Sequence, residues 1–239
     1  MITDMEELRK VLSSWNISIS EEKLDLFNHY YEELILWNSR INLTSITDKD
    51  DVILKHFADS IALLKYMDLS CRTILDVGTG AGFPGIPLCI MCEDCDITLM
   101  DSLNKRVSFL NHIIDDLGLS NIRAVHGRAE DLGHDPNYRE RFDVVTSRAV
   151  ANLCTLSEYS LPFVKINGMF VSYKSGNVSD EISEASESFR VLGGTLSETV
   201  SFVLPHSDIT RTFVFIKKVN NTPDRFPRKA GLPSKKPIK

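Results

Sequence analysis

What this chain lacks already narrows its class. No apolar run comes near the roughly 18 residues that a bilayer-spanning helix needs, so a membrane protein is not expected. The first ten residues are polar and acidic, without the basic-then-apolar order of a secretory signal. Cysteines number five, an odd count that cannot pair completely within one chain, and 239 residues can bury a sizeable core without such staples. These absences predict a cytoplasmic protein with reduced thiols. Twelve glycines and nine prolines are too few for a collagenous or low-complexity chain. Cys89, Cys92 and Cys95 repeat at Cys-x-x-Cys spacing but offer three ligands with no obvious local fourth, so no metal is expected. An excess of positive charge is also missing. The 27 Lys+Arg against 33 Asp+Glu give −6, which argues against a protein that coats nucleic acid by bulk charge. The charge is unevenly placed, however. From Arg225 to Lys239 there are six basic residues and no acid, which leaves −12 on the other 224 residues.

What is present is a change of rhythm. Leu24, Phe27, Tyr31 and Leu34 recur at spacings of three and four, one face of a helix, with Ser20 as its N-cap before Glu21 and Glu22. Ile53, Phe57, Ile61, Leu64 and Met67 repeat the pattern. From residue 72, short β-branched runs predict strands over 73–77, 97–100, 122–125, 142–146, 169–173, 200–204 and 212–217. Helical stretches separate the first five. The clearest has Leu103, Val107, Leu110, Ile114 and Leu117 on one face and Gly118 as its stop. Such alternation implies an α/β fold with a mainly parallel sheet and helices on both faces. The last two strands are joined by 205–211, too short for a crossover helix, and should form an antiparallel hairpin. The chain divides into a helical extension over 1–70, a Rossmann-like core over 71–222 and a basic, proline-containing extended arm over 223–239.

The most informative segment is Asp76-Val-Gly78-Thr-Gly80-Ala-Gly82-Phe83-Pro-Gly85, a strand running into a glycine turn and a helix. Two frames compete. Gly80-x-Gly82-x-x-Gly85 fits a dinucleotide fingerprint, and Asp76-x-Gly78-x-Gly80-x-Gly82 resembles motif I of class I S-adenosylmethionine (AdoMet) methyltransferases. Charge favours the second. A carboxylate at Asp76 would repel a pyrophosphate but suits an ammonium and a sulfonium. A tight turn without a ligand is the plain alternative. Asp101 ends the second strand and could accept from a ribose diol or cap the following helix. Ala129, Glu130 and Asp131 follow the third strand, where the adenine would lie in the methyltransferase frame.

With 76–88, 101–110, Gly127-Arg-Ala-Glu130 and Thr146-Ser-Arg148-Ala-Val-Ala151, these residues closely resemble the family of bacterial 16S rRNA (guanine-N7)-methyltransferase G, formerly glucose-inhibited division protein B. Trp37-Asn38…Asn42-Leu-Thr44 and Pro227-Arg228-Lys229-Ala-Gly-Leu-Pro233 extend the similarity over nearly the whole chain. The resemblance implies a class I, Rossmann-like methyltransferase with a seven-stranded, mostly parallel sheet and an antiparallel last strand. It implies AdoMet as cofactor, bound by Gly78, Phe83, Ala129, Glu130 and Arg148, and a guanine N7 in the 530-loop region of 16S rRNA, or of the 30S subunit, as acceptor. Gly80 and Asp101 join that set from the reading of the turn and the strand end.

The chemistry agrees. Guanine N7 has a lone pair and no proton, so no general base is expected and catalysis should rest on positioning and desolvation. The Asn/Asp-Pro-Pro-aromatic motif of amine methylation is missing after the fourth strand; Asp135-Pro136-Asn137-Tyr138 precedes it and reads as a loop. Cys154 lacks the context of an attacking thiol and reads as a core residue. Arg148 could pair with the methionine carboxylate or an RNA phosphate. Asn38, Asn42, His56 and Asp59 are weaker candidates for the acceptor side, Arg228 and Lys229 are candidate RNA contacts on the arm, and with Phe226 they favour an arm docked near the active site over a disordered solubilising tail. A monomer is expected. Still open are a methyltransferase of another base or a small molecule, an NAD-dependent oxidoreductase, and a non-catalytic AdoMet-sensing or RNA-binding protein.

Overall fold

Alternation of apolar side chains along the strands sets the architecture. Ile74 joins one apolar cluster and Leu75 the other; Val144 and Val145, Val171 and Phe170, and Phe213, Val214, Phe215 and Ile216 divide in the same way. A period of two with both faces buried demands a sheet clad on both sides. The computed structural model describes residues 5–148 and 151–239. The first four residues, and Ala149 and Val150 of the 146–151 motif, lie outside the described residues.

The chain opens with α1 (Glu6–Ser14) and α2 (Glu21–Ile41). α3 (Lys49–Val52) continues through a π-helical turn, Ile53–Ala58, into α4 (Asp59–Ile61) and a 3-10 turn, Ala62–Lys65. There follow β1 (Thr73–Val77), α5 (Gly85–Met91), β2 (Asp96–Asp101), α6 (Asn104–Asp116), β3 (Ile122–His126), α7 (Ala129–Leu132) and β4 (Phe142–Arg148). The rest is α8 (Leu153–Ser160), β5 (Val164–Ser175), α9 (Ser179–Val191), β6 (Gly194–Val203), β7 (Thr210–Lys218) and α10 (Leu232–Lys235). The sheet order is β3-β2-β1-β4-β5-β7-β6. β1 to β5 run parallel, and β7 inserts antiparallel between β5 and β6. The order reverses between β1 and β4, so their carboxyl ends open the crevice where such sheets bind ligands. α1, α2, the 53–65 run, α5 and α6 cover one face; α8, α9 and Phe226 of the arm cover the other.

Several expectations need adjustment. β5 and β6 begin earlier than the sequence predicts. Asn167, at φ 68, and Gly168 interrupt the alternation of β5, and β6 is an edge strand whose residues are mostly exposed and polar. Leu103 does not join the buried face of α6: it is its N-cap and 44% exposed, while Phe109 and Ile113 are buried. The arm is extended in chain path and docked along the core as a strap. Arg139 donates to the carbonyls of Thr222 (2.6 Å) and Phe226 (2.8 Å), His134 Nε2 lies 2.7 Å from the Pro227 carbonyl, and Ser188 Oγ donates to Ile238 O (2.8 Å). A proline-containing segment without a strand partner must find donors for its carbonyls elsewhere, and side chains supply them.

Candidate active site

β1 ends at Val77, and the chain turns through Gly78 and Gly80, both at positive φ (70 and 64), into α5. Gly80 N donates to Asp101 Oδ2 (3.0 Å), tying the turn to the end of β2. A Cβ on Gly80 would meet no heavy atom within 4 Å; the position lines a cavity with Phe83, Asp101 and Arg148. Gly82 is different. A Cβ there would meet Ile86 Cδ1 at 2.4 Å and Tyr30 Oη at 2.8 Å, and the Tyr30 hydroxyl donates to Ala81 O.

Asp76 corrects the sequence reading. Instead of facing a cationic ligand, its fully buried carboxylate is consumed inside the turn. Oδ2 accepts from Thr79 Oγ1 (2.6 Å) and Gly85 N (3.0 Å), and Oδ1 accepts from Thr146 Oγ1 (3.2 Å). Burial pushes its pKa up to about 6, against the pull of these donors. The same geometry defeats the dinucleotide frame. Its second glycine, Gly82, has protein where a pyrophosphate needs close approach, and the Gly85 N–H at the helix start already holds a carboxylate.

Asp101 is 2% exposed. Its Oδ1 accepts from Leu103 N (2.9 Å), and its Oδ2 accepts from Arg106 Nη1 (3.3 Å) as well as from Gly80. It separates two cavities that share Gly78, Asp101 and Ser102. One, of about 390 Å³, reaches Phe83 and Arg148; the other, of about 340 Å³, reaches Ala129, Glu130, Tyr159 and Gly231. Together they form one elongated groove over the carboxyl ends of β1 and β2. Arg106 Nε, beside the groove, is buried without a partner. At the far end Glu130 Oε1 accepts from Gly231 N of the strap (3.0 Å). Burial, then the nearby Glu130 charge, raises the pKa of the Tyr159 hydroxyl.

The near end is a wall built on Arg148. Its Nη1 donates to Lys55 O (3.0 Å) and Asp59 Oδ2 (3.0 Å), its Nη2 to His56 Nδ1 (3.1 Å), and its guanidinium lies 5.1 Å from the centre of the Phe83 ring. Arg211 Nε takes the other oxygen, Asp59 Oδ1 (3.0 Å). A guanidinium can only donate. His56 Nδ1 is therefore an acceptor, and its proton sits on Nε2, 2.8 Å from Thr44 Oγ1. Burial first, and Arg148 second, push the His56 pKa down to about 3, so the ring is neutral. It stacks on Phe83 with centroids 4.5 Å apart. Beyond the wall lies a third cavity of about 590 Å³, lined by Lys55, Arg148, Lys174 and Arg211 and by the acids Asp59 and Glu181, the latter 2.6 Å from Lys174 Nζ.

The structure thus gathers Gly78, Gly80, Phe83, Asp101 and Arg148 around one cavity and places Ala129 and Glu130 at the other end of the same groove. His56 and Asp59 stand in the wall. Asn38 and Asn42 line none of these cavities. Asn38 Oδ1 accepts from Leu43 N (2.6 Å) and Thr44 N (2.9 Å), and Asn42 ends α2 at φ 50, so the pair shapes the loop that presents Thr44 to His56. Arg228 is turned inward, which corrects its expected place on an RNA-facing surface. Its Nε and Nη2 donate to the fully buried Glu158 (2.9 and 2.6 Å), a charge that needs a partner. Lys229 is exposed. Cys154 is buried, as expected for a core thiol. Arg106, Lys55, Lys174 and Arg211 were missed. The sequence offered no signal that singles out Arg211, because Lys217 and Lys218 flank the same apolar stretch 213–216 on its other side.

Residues 23–210 match the family described as rRNA small subunit methyltransferase G. The protein named Ribosomal RNA small subunit methyltransferase G in Desulforamulus reducens is 49% identical over 232 residues, spanning 97% of each chain. That in Lachnoclostridium phytofermentans is 50% identical over 228 residues, 95% of this chain and 94% of its own. In shape the chain is similar to a SAM-dependent methyltransferase from Aquifex aeolicus (TM-score 0.55, 18% identity, 73% of this chain and 96% of that one). It is also similar to M. jannaschii TYW2 in complex with AdoMet (TM-score 0.55, 12% identity, 73% and 80%). At these identities the two structures speak for the fold alone: a class I methyltransferase sheet.

Proposed function

The chain belongs to the rRNA small subunit methyltransferase G family, and from that premise we propose that it transfers a methyl group from AdoMet to N7 of a guanine in the 530-loop region of 16S ribosomal RNA. The observation that carries this reading is the meeting of two unlike spaces at Arg148: a groove floored by a glycine turn and a strand-end acid, and a cavity whose lining holds four cations against two acids, Asp59 and Glu181. The groove fits AdoMet on its own features. The open space at Gly80 admits close approach, and the orphaned Arg106 Nε is a donor without an acceptor. Gly78 and Gly80 would face the cofactor backbone, Asp101 would accept from the ribose hydroxyls, and Ala129 and Glu130 would border the adenine. Phe83 and Arg148 would close the methionine end. When bound, AdoMet supplies an electrophilic methyl on a sulfonium.

The protein's share is placement. Arg148 has spent three N–H groups on Lys55, Asp59 and His56 and keeps two for a ligand. Asp59 is neutralised between two arginines, and the buried neutral ring of His56 has its Nδ1 enclosed by Arg148 Nη2 (3.1 Å) and Lys55 O (3.2 Å), so neither is placed as a free base. An acceptor nitrogen with a lone pair and no proton is the kind such a wall can serve, by orientation and exclusion of water. Lys55, Lys174 and Arg211 would neutralise phosphates next to the target base. We place the reaction in the cytoplasm, with a single chain acting on 16S rRNA or the small subunit. Among the described residues no helix is long and apolar enough to cross a membrane.

The test is methyl transfer from labelled AdoMet into 30S subunits that lack the modification, followed by mapping. One N7-methylguanine in 16S rRNA is expected. Label on another atom or RNA, or no transfer while AdoMet binds normally, would overturn the assignment.

A further inference from the structure

Away from the groove, α2 and α6 pack through Trp37, whose ring lies 5.6 Å from Phe109 and 5.0 Å from His112. Each helix carries one histidine and one carboxylate four residues apart: His29 and Glu33 on α2, His112 and Asp116 on α6. That spacing puts both side chains on one face of their helix. The four meet crosswise. His29 Nε2 lies 2.5 Å from Asp116 Oδ2, and His112 Nε2 lies 2.7 Å from Glu33 Oε2. One ligand atom each from Glu33, His112 and Asp116 all fall within 4.8 Å of one another.

We propose that His29, Glu33, His112 and Asp116 bind one divalent ion of the zinc class, clamping the N-terminal helices to the core. Two imidazoles and two carboxylates are a suitable donor set for zinc, which takes four ligands at about 2.0–2.2 Å in a tetrahedron. Ligand atoms in such a site lie about 3.3 Å apart; Glu33, His112 and Asp116 are the three already grouped, and His29, which reaches them through Asp116, turns inward to supply the fourth ligand. An ion on Nε2 leaves each imidazole its proton on Nδ1. For His29 that nitrogen already points toward a carboxylate, 3.9 Å from Glu32 Oε2, an outer partner of the kind that orients metal-bound histidines. Trp37 fixes the ring of His112. Among the described residues the ion pairs of Glu33 and Asp116 are with histidines, so no lysine or arginine has claimed these charges. The clamp would act on a helix that backs the groove. Tyr30, next to His29, holds Ala81 of the glycine turn. Sequence spacing hid the set, because its halves are 87 and 79 residues apart.

The full-length protein, stripped with chelator, is titrated with Co²⁺ alone. One equivalent should give tetrahedral visible d–d bands without thiolate-to-cobalt charge transfer, be displaced by Zn²⁺, and raise the thermal midpoint. His112→Gln and Asp116→Asn should each weaken Co²⁺ binding by more than about tenfold, as loss of even outer partners costs about 10–100-fold. Both variants should keep cooperative melting and AdoMet affinity while losing the metal-induced rise. If one fails to fold, the other and His29→Gln carry the test. Bands unchanged in the variants, thiolate charge transfer from the Cys89–Cys92–Cys95 group, or no binding of either ion would overturn the proposal, the last leaving two crosswise ion pairs and no site.

Discussion

Two buried titratable residues give the site opposite responses to pH. His56 has its pKa lowered to about 3 in the folded protein. As pH falls below the ordinary value near 6.5 the unfolded chain takes the proton first, so this contribution holds above that value and is lost on acidification. His56→Gln should therefore lose less stability than the parent between pH 7 and 5, by about 2 kcal/mol, in paired urea denaturations. Asp76 runs the other way. Its pKa is raised to about 6, so its contribution is full below the ordinary carboxylate range and is lost as pH rises through 6. Asp76→Asn, which can still accept from Thr79 and Gly85 and donate to Thr146, should flatten the fall in stability between pH 4 and 6; an unchanged slope would mean that Asp76 is not the group responsible. At Gly80, alanine pays for a left-handed φ of 64 with about 1–2 kcal/mol and projects a methyl group into the groove. Gly80→Ala should stay folded yet bind AdoMet more than about tenfold more weakly by calorimetry, since a group filling the approach space displaces the ligand. The turn itself was legible in the sequence. The division of labour within it was not, because what fills Gly82 and takes Asp76 comes from Tyr30 and Thr146, far along the chain.

At the scale of elements, periodicity located all seven strands, and the short 205–211 connection gave the antiparallel pairing of the last two. It failed where burial failed: β6 begins six residues before the apolar stretch that marks it, because an edge strand can be polar. Composition alone left the arm open between a docked strap and a free tail. Prolines and lysines look alike in a free tail and in a strap, and the donors that dock this strap sit on Arg139, His134 and Ser188. Docking separates two roles that one basic run had merged. Arg228→Met strands a buried Glu158 charge and should cost about 3 kcal/mol in urea unfolding. Lys229→Ala should leave stability unchanged while weakening RNA binding and lowering its salt slope by about one. The reverse pattern would return Arg228 to the RNA surface.

For the whole molecule, the net charge of −6 is a poor guide. In the proposed function, attraction for a polyanion would be local, in the cations of the third cavity and the exposed lysines of a strap that also closes the groove through Gly231 and Glu130. The fold class and family were legible in the sequence because the glycine turn, the strand-end acid and the alternating strands are each local patterns. The wall was not, because Asp59 meets Arg148 across 89 residues and Arg211 across 152. That reach has a consequence in time. A chain made from its N-terminus exposes Asp59 early, gains its first counter-charge only with β4 and its second only with β7, and secures the end of the groove at Gly231. Contacts of such long separation are slow to form. The enzyme's working centre is therefore among the last things its own synthesis completes, and a chain released short of residue 211 lacks the second partner of Asp59.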